Sequence, residues 1–298
     1  MNVPRIDKDA CQRCGACVEI CPQGIFSSKE SRGNDGEIAV DPERAPLCIA
    51  CGHCMAVCPA KAVRAGALEY GRDVVVQQGE KPDPESVQVL LETRRACRAY
   101  KDEPVPRRVL EDIVDRIATA PPGFPPWNVE LTVVQRRETL EKALPAIVEM
   151  YEKLEGWMGN PFVRFFMKHS LETELYNTIR DHLLPILKNR LPEMKEKGRD
   201  LVTWGAPAMI LFHADRASCN HTEDAHIAVM VGWLAAHALG LGATAIGLVP
   251  PAVDKTPSLR ERFAIPGDNE VVGCLILGYP KHRIKRSILR KPKSVTWI

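Results

Sequence analysis

The chain has 298 residues, 45% of them hydrophobic and 26% charged, with a formal net charge of +2 at pH 7. That length suits one small and one medium domain, and the evenly mixed charges exclude the strongly basic face that nucleic acid requires. No signal-peptide pattern opens the sequence, so its many thiols point to a reducing cytoplasm.

In chain order, the first feature is a pair of cysteine runs. Cys11-x2-Cys14-x2-Cys17-x3-Cys21-Pro22 recurs with identical spacing as Cys48-x2-Cys51-x2-Cys54-x3-Cys58-Pro59. Three thiolates on a tight loop can hold three corners of a cubane iron–sulfur cluster, while the fourth, before proline, points away and ligates the other cluster. This crossing assigns Cys11, Cys14, Cys17 and Cys58 to one [4Fe–4S] site, and Cys48, Cys51, Cys54 and Cys21 to a second. Each proline turns the chain away from the metal. Zinc favours separated C-x2-C pairs and disulfides suit small secreted domains, so both fit less well. The pattern resembles bacterial two-cluster ferredoxins. It predicts a ferredoxin-like domain over residues 1–70, too small for a large apolar core and so stabilised by its metal. The remaining Cys97, Cys219 and Cys274 read as small hydrophobes, and His53, inside a cluster loop, lies outside the all-cysteine ligand set.

Between the cysteine runs, Ser27 to Asp41 is polar and reads as an exposed excursion. Residues 71–84 form a connector, in which Val74–Val76 could pair as a strand before the turn-rich Gly79–Pro84. The third region, 85–298, starts with a helical pattern at Val87, Leu90 and Leu91. A second helix follows Pro106, with apolar positions Val109, Leu110, Ile113, Val114 and Ile117. The run Pro121-Pro122-Gly123-Phe124-Pro125-Pro126-Trp127 is a rigid loop, and Val129–Gln135 alternates like a strand. Residues 138–200 suggest two or three helices, and Pro207–His213 and Val271–Tyr279 suggest buried strands. Ala225–Val253 holds no Asp, Glu, Lys or Arg and is long enough to span a bilayer. The break at Gly240-Leu241-Gly242 instead divides it into a buried helix and a short strand over Ala243–Val249, so no membrane span is expected. Gly240-x-Gly242-x-x-Ala245 has the letters of a dinucleotide fingerprint in the wrong order of elements, helix before strand. The tail from Lys281 to Lys293 is basic.

One set of motifs in the second region carries a family resemblance. It comprises Arg94-Arg95-Ala96-Cys97-Arg98, the loop ending in Pro126-Trp127, Gly205-Ala206-Pro207, Ala238–Ala243 leading to Ile246-Gly247, and Arg290-Lys291-Pro292. In order and spacing this set resembles the nitroreductase family of FMN enzymes. The resemblance implies an α+β fold with a central, mostly antiparallel sheet flanked by helices, behind the small ferredoxin-like domain. It also implies a homodimer with two FMN sites at the interface. By the same resemblance Arg94, Arg95 and Arg98, with Ala96 between them, grip the FMN phosphate and ribityl chain, a task suited to the arginine fork. Arg290 and Lys291 add a second grip. Ile246, Gly247 and Leu248 face the isoalloxazine edge, where glycine permits close approach. Pro121, Pro122 and Gly123 approach FMN from the partner subunit. Ala96 departs from the family's frequent serine, and Pro122–Pro125 replace its usual polar residues, which leaves the substrate open. The helical insert Leu140–Lys197 is the implied lid, with Phe162, Phe165, Phe166 and Tyr176 as candidates for a substrate wall.

These readings combine into an oxidoreductase that takes electrons singly through two [4Fe–4S] clusters to FMN and on to a small organic acceptor such as a nitroaromatic, quinone or enone. The donor is a reduced ferredoxin or NAD(P)H, and no acid–base catalytic residue is evident. An electron-transfer or redox-sensing protein acting on a protein partner is the competing reading. A narrower one makes flavin itself the substrate.

Overall fold

The computed structural model describes residues 3–29, 36–123 and 128–298. They fall into two compact units, divided between Lys81 and Pro82.

The first unit is a repeat in three dimensions as well as in sequence. Its elements are β1 (Arg5–Ile6), α1 (Ala16–Ile20), β2 (Phe26–Lys29), β3 (Glu37–Val40), α2 (His53–Val57) and β4 (Val63–Arg64). β1 pairs antiparallel with β4, and β2 with β3. Left-handed backbone recurs at equivalent places of the two halves: Arg13 and Ala50, Gly15 and Gly52, Gly24 and Lys61. Phe26 and Ile38 are buried with Ile25, Met55 and Val63 in a small core around the cysteines. The described parts of Ser27–Asp41 are therefore paired strands, not an exposed excursion: Ile38 is buried within the stretch and Phe26 just before it. Val74 makes a single bridge to Tyr70 while Val75 and Val76 are exposed, so the valine triplet forms no strand.

The second unit begins with α3 (Pro84–Thr93) and α4 (Arg107–Ile117). Asp83 caps α3 by accepting the Ser86 N–H at 2.9 Å, and Leu110, Ile113 and Ile117 of α4 are buried at helical spacing. β5 (Val129–Val134) follows. The insert opens with the one-turn α5 (Arg137–Glu141) and then has three main helical stretches, as expected: α6 (Leu144–Gly159), α7 (Pro161–Ser170), and α8 (Thr173–Thr178) joined through a π turn over Ile179–Leu183 to α9 (Leu184–Lys197). Pro145, Pro161 and Pro185 sit in first turns, where proline starts a helix without breaking one. Then come β6 (Ala208–Asp215), α10 (His221–Ala238), β7 (Gly242–Ala245), α11 (Val249–Lys255), α12 (Pro257–Arg262) and β8 (Asn269–Gly278). β7 is shorter than Ala243–Val249 suggested, because Pro250 and Pro251 favour a helix start at Val249.

The sheet is antiparallel throughout, in the order β5-β6-β8-β7. Along β6, Met209 and Leu211 face one core with α6, α9, α11 and α12. Ala208, Ile210 and Phe212 face the other with α4 and α10. This period-two division is that of a central strand covered on both sides. Gly240, at φ 79°, turns α10 into β7, so the glycine run is helix, turn, strand as its flanks required. Among the described residues no helix is long and apolar enough to cross a membrane.

Candidate cofactor sites

In the first unit two small cavities of equal size, about 20 Å³ each, have matching linings. Cys48, Cys51, Cys54 and Cys21 meet at one, and Cys11, Cys14, Cys17 and Cys58 at the other. Each thus takes three cysteines from one run and the fourth from the other. Backbone N–H groups point at the crossing sulfurs in both halves: Ile25 to Cys21 Sγ at 3.5 Å and Ala62 to Cys58 Sγ at 3.3 Å. The left-handed turns at Gly15 and Gly52 lead into α1 and α2, and such concave runs of N–H groups suit Fe–S anions. Burial raises the pKa of Cys54 to about 12, and the other thiols of its cavity add to the shift. Burial likewise raises Cys17 and Cys48. These thiols stay protonated until a cation compensates them, which is what iron would do. Among the described residues no three His, Cys, Asp or Glu side chains close around a single metal ion.

In the second unit, residues 94–101 are stitched along β7 and the chain after β8. Ala96 bridges Ala243, and the Cys97 N–H donates to Ala243 O at 3.0 Å. Tyr100 bridges Pro280, and the Lys281 N–H donates to Ala99 O at 2.9 Å. Gly242 permits this approach, since a Cβ there would lie 2.6 Å from the Cys97 sulfur.

The stitching fixes the arginine motif beside β7 and the segment after β8, while Ile246–Leu248 lie further along the chain from β7 with no direct contact to the arginines among the described residues. Arg94 and Arg95 are half-buried at the end of α3. Arg95 donates to Arg94 O at 2.7 Å and to Ile288 O at 3.0 Å, which draws in the segment carrying the exposed Arg290 and Lys291. β7 leads directly to Ile246, which is buried, Gly247, which is exposed, and Leu248, whose carbonyl accepts from Tyr151 Oη at 2.8 Å. Gly247 opens on a cavity of about 610 Å³ that also meets Thr222 and His226 of α10 and whose described lining includes none of Arg94, Arg95, Arg98, Arg290 and Lys291. Arg98 is exposed, its guanidinium 6.0 Å from the Trp204 ring.

Among the described residues no carboxylate balances Arg94 or Arg95. The Arg94 guanidinium makes no hydrogen bond or ion pair among the described residues and lies 4.3 Å over the Trp233 ring. Burial and the neighbouring Arg95 charge lower its pKa. Arg95 Nε is buried without a partner. Two adjacent cations, one with an orphaned donor, fit an anion as their missing partner.

Pro121, Pro122 and Gly123 do not join this group within the chain. The Gly123 N–H donates at 2.8 Å to the buried Asp224, in the first turn of α10, whereas Arg94 meets α10 at Trp233. Nine helical residues separate these points, about 13 Å along the axis. Phe124, Pro125, Pro126 and Trp127 lie outside the described residues. In the insert, Phe162, Phe165 and Phe166 are exposed and form edge contacts with one another, while Tyr176 is buried.

Sequence reasoning missed Trp233, His237 and Asp224. His237 Nε2 lies 2.8 Å from Thr93 Oγ1. The Thr93 proton is already given to Val89 O at 2.7 Å, so His237 donates from Nε2. Burial and then the Arg94 charge lower its pKa. One signal was available: Trp233 is the only aromatic residue in an otherwise aliphatic stretch, one turn before His237.

Comparison with known proteins decides the family, because residues 91–279 match the nitroreductase family over more than half of the sequence. The chain belongs to the nitroreductase family. Residues 10–62 of this nitroreductase-family chain match a 4Fe-4S dicluster domain. A curated relative from Methanothermobacter thermautotrophicus, described as a putative NADH dehydrogenase/NAD(P)H nitroreductase, is 26% identical over 196 residues, covering 64% of this chain and 75% of its own. A nitroreductase with bound FMN from Bacteroides fragilis superposes with a TM-score of 0.51 at 21% identity, covering 72% of this chain and 98% of that one. An FMN-bound nitroreductase from Desulfitobacterium hafniense gives 0.50 at 19%, covering 73% and 100%. At these identities the structural likenesses speak for the fold. The nitroreductase fold expected from the motifs is thus the one observed, and the chain is an oxidoreductase of this family with an added iron–sulfur domain.

Proposed function

We propose that the protein is an FMN-dependent oxidoreductase fed through two [4Fe–4S] clusters and reducing a small organic acceptor, such as a nitroaromatic, quinone or enone. The observation that carries this reading is the union in one chain of two crossed four-cysteine cavities with an arginine pair that lacks any anion. FMN, when bound, would supply chemistry in steps of one or two electrons and so match one-electron clusters to a two-electron acceptor. Arg94, Arg95 and Arg98 would hold its phosphate end, with Arg290 and Lys291 closing over it. Ile246–Leu248 would line its ring edge, where the exposed Gly247 leaves room for close contact. Tyr151, by fixing the Leu248 carbonyl, would hold that edge in place.

Cys11, Cys14, Cys17 and Cys58 would hold one cluster, and Cys48, Cys51, Cys54 and Cys21 the other. Residues 1–70 would act as the electron inlet, 71–84 as connector and 85–298 as the flavin domain. Pro121–Gly123, remote from Arg94 within the chain, suit a homodimer in which each loop serves the other subunit's flavin. The donor would be a reduced ferredoxin or NAD(P)H, and the setting a reducing cytoplasm.

The test is Cys14→Ser, assayed with both donors. Ferredoxin-driven turnover should vanish while NADH-driven turnover of the same acceptor persists. Equal retention of both would remove the clusters from the electron path.

A further inference from the structure

We propose that Trp233 is a positioning residue for the flavin phosphate: its indole face is the shelf that aims the Arg94 guanidinium. This rests on the reading of Arg94 as a phosphate ligand. The two neighbouring arginines are held in different ways. Arg95 is fixed by two backbone carbonyls, those of Arg94 and Ile288. Arg94 has no such anchor; the Trp233 ring, 4.3 Å from Cζ, is what fixes its guanidinium. A free arginine loses much rotamer freedom when it grips an anion, and a side chain already parked on a rigid helix has lost it beforehand.

The choice of tryptophan supports the same conclusion. Trp233 Nε1 is buried with no acceptor, a cost that phenylalanine or leucine would avoid. Packing alone does not favour an orphaned indole N–H. A cation over the ring does, since tryptophan offers the strongest π face. One turn on, His237 donates to Thr93 and so ties down the residue preceding Arg94.

The experiment uses the full chain with clusters intact and flavin removed, titrated with FMN and with riboflavin, which lacks the phosphate. Trp233→Leu should weaken FMN about tenfold, the span of a partly desolvated cation–π contact, and leave riboflavin unchanged. Trp233→Phe, which keeps a π face, should retain most of the affinity. In an Arg94→Ala background Trp233→Leu should cost nothing further. Trp233→Met, also without a π face, replaces the leucine variant if that one does not fold. Equal losses for FMN and riboflavin, or a full loss persisting without Arg94, would reduce Trp233 to packing and overturn the proposal. If Arg94→Ala weakens FMN but Trp233→Leu does not, the phosphate grip stands and the shelf falls. If the wild type binds FMN no better than riboflavin, the grip itself falls and the shelf with it.

Discussion

Replacing Gly242 with alanine should loosen the arginine segment from β7. A Cβ at this position would lie 2.6 Å from both Cβ and Sγ of Cys97 and 3.3 Å from Pro280 Cβ. Ordinary contact begins at 3.4 Å, so residues 94–101 must retreat by about 0.8 Å or β7 must shift. The retreat strains the Cys97–Ala243 backbone bond, at 3.0 Å, and the Thr244 hydroxyl bond to Cys97 O. Overpacking of this kind costs about 1–3 kcal/mol. In a domain of this size each kcal/mol lowers Tm by about 2–4 °C, so a fall of about 2–12 °C is expected. Arg94, Arg95 and Arg98 ride on the displaced segment, so FMN affinity should fall with Tm. Thermal melts followed by circular dichroism, paired with FMN titration, measure both. Gly267→Ala, where a Cβ meets nothing within 4 Å, is the neutral control. A Gly242→Ala protein that melts with that control and binds FMN normally would refute the stitching of this segment as the basis of the grip.

Three further outcomes are expected. Cys58→Ser should lower iron from about eight to about four per chain and leave the same residual spectrum as Cys11→Ser, although the two residues belong to different runs; Cys21→Ser should match Cys48→Ser. Asp224→Ala should free the Gly123 N–H and cost about 1–3 kcal/mol, with Asp224→Asn restoring part of it in denaturant titrations. His213 is buried between Asn269 Nδ2 at 2.8 Å and Thr132 Oγ1 at 3.2 Å, and its pKa is lowered chiefly by burial. The unfolded chain therefore binds the extra proton first, so stability should decline as pH falls below about 6.5. His213→Gln should flatten that slope between pH 7 and 5.

The cysteine spacing made the crossed cavities legible because ligand geometry leaves few solutions, and the same offset recurs in the backbone at Gly15 and Gly52. The sheet was legible where apolar runs are long and flanked by turns, as in β6 and β8. The β2–β3 hairpin was not, since its apolar residues, Ile25, Phe26 and Ile38–Val40, sit at the two ends of a long polar run. Val74–Val76 misled in the other direction: strand propensity had no partner strand to satisfy it. Arg94 could be read as a ligand from its motif. Its dependence on Trp233 could not, because 139 positions separate them in sequence and only the packing of α10 brings them together.

The most direct test of the wired oxidoreductase is a stepwise reductive titration of oxygen-free protein, with iron, sulfide and FMN quantified. The account predicts about eight irons and one FMN per chain, with flavin and cluster absorbance bleaching in one connected titration. Iron without flavin, or a flavin that stays oxidised after the clusters are fully reduced, would contradict it.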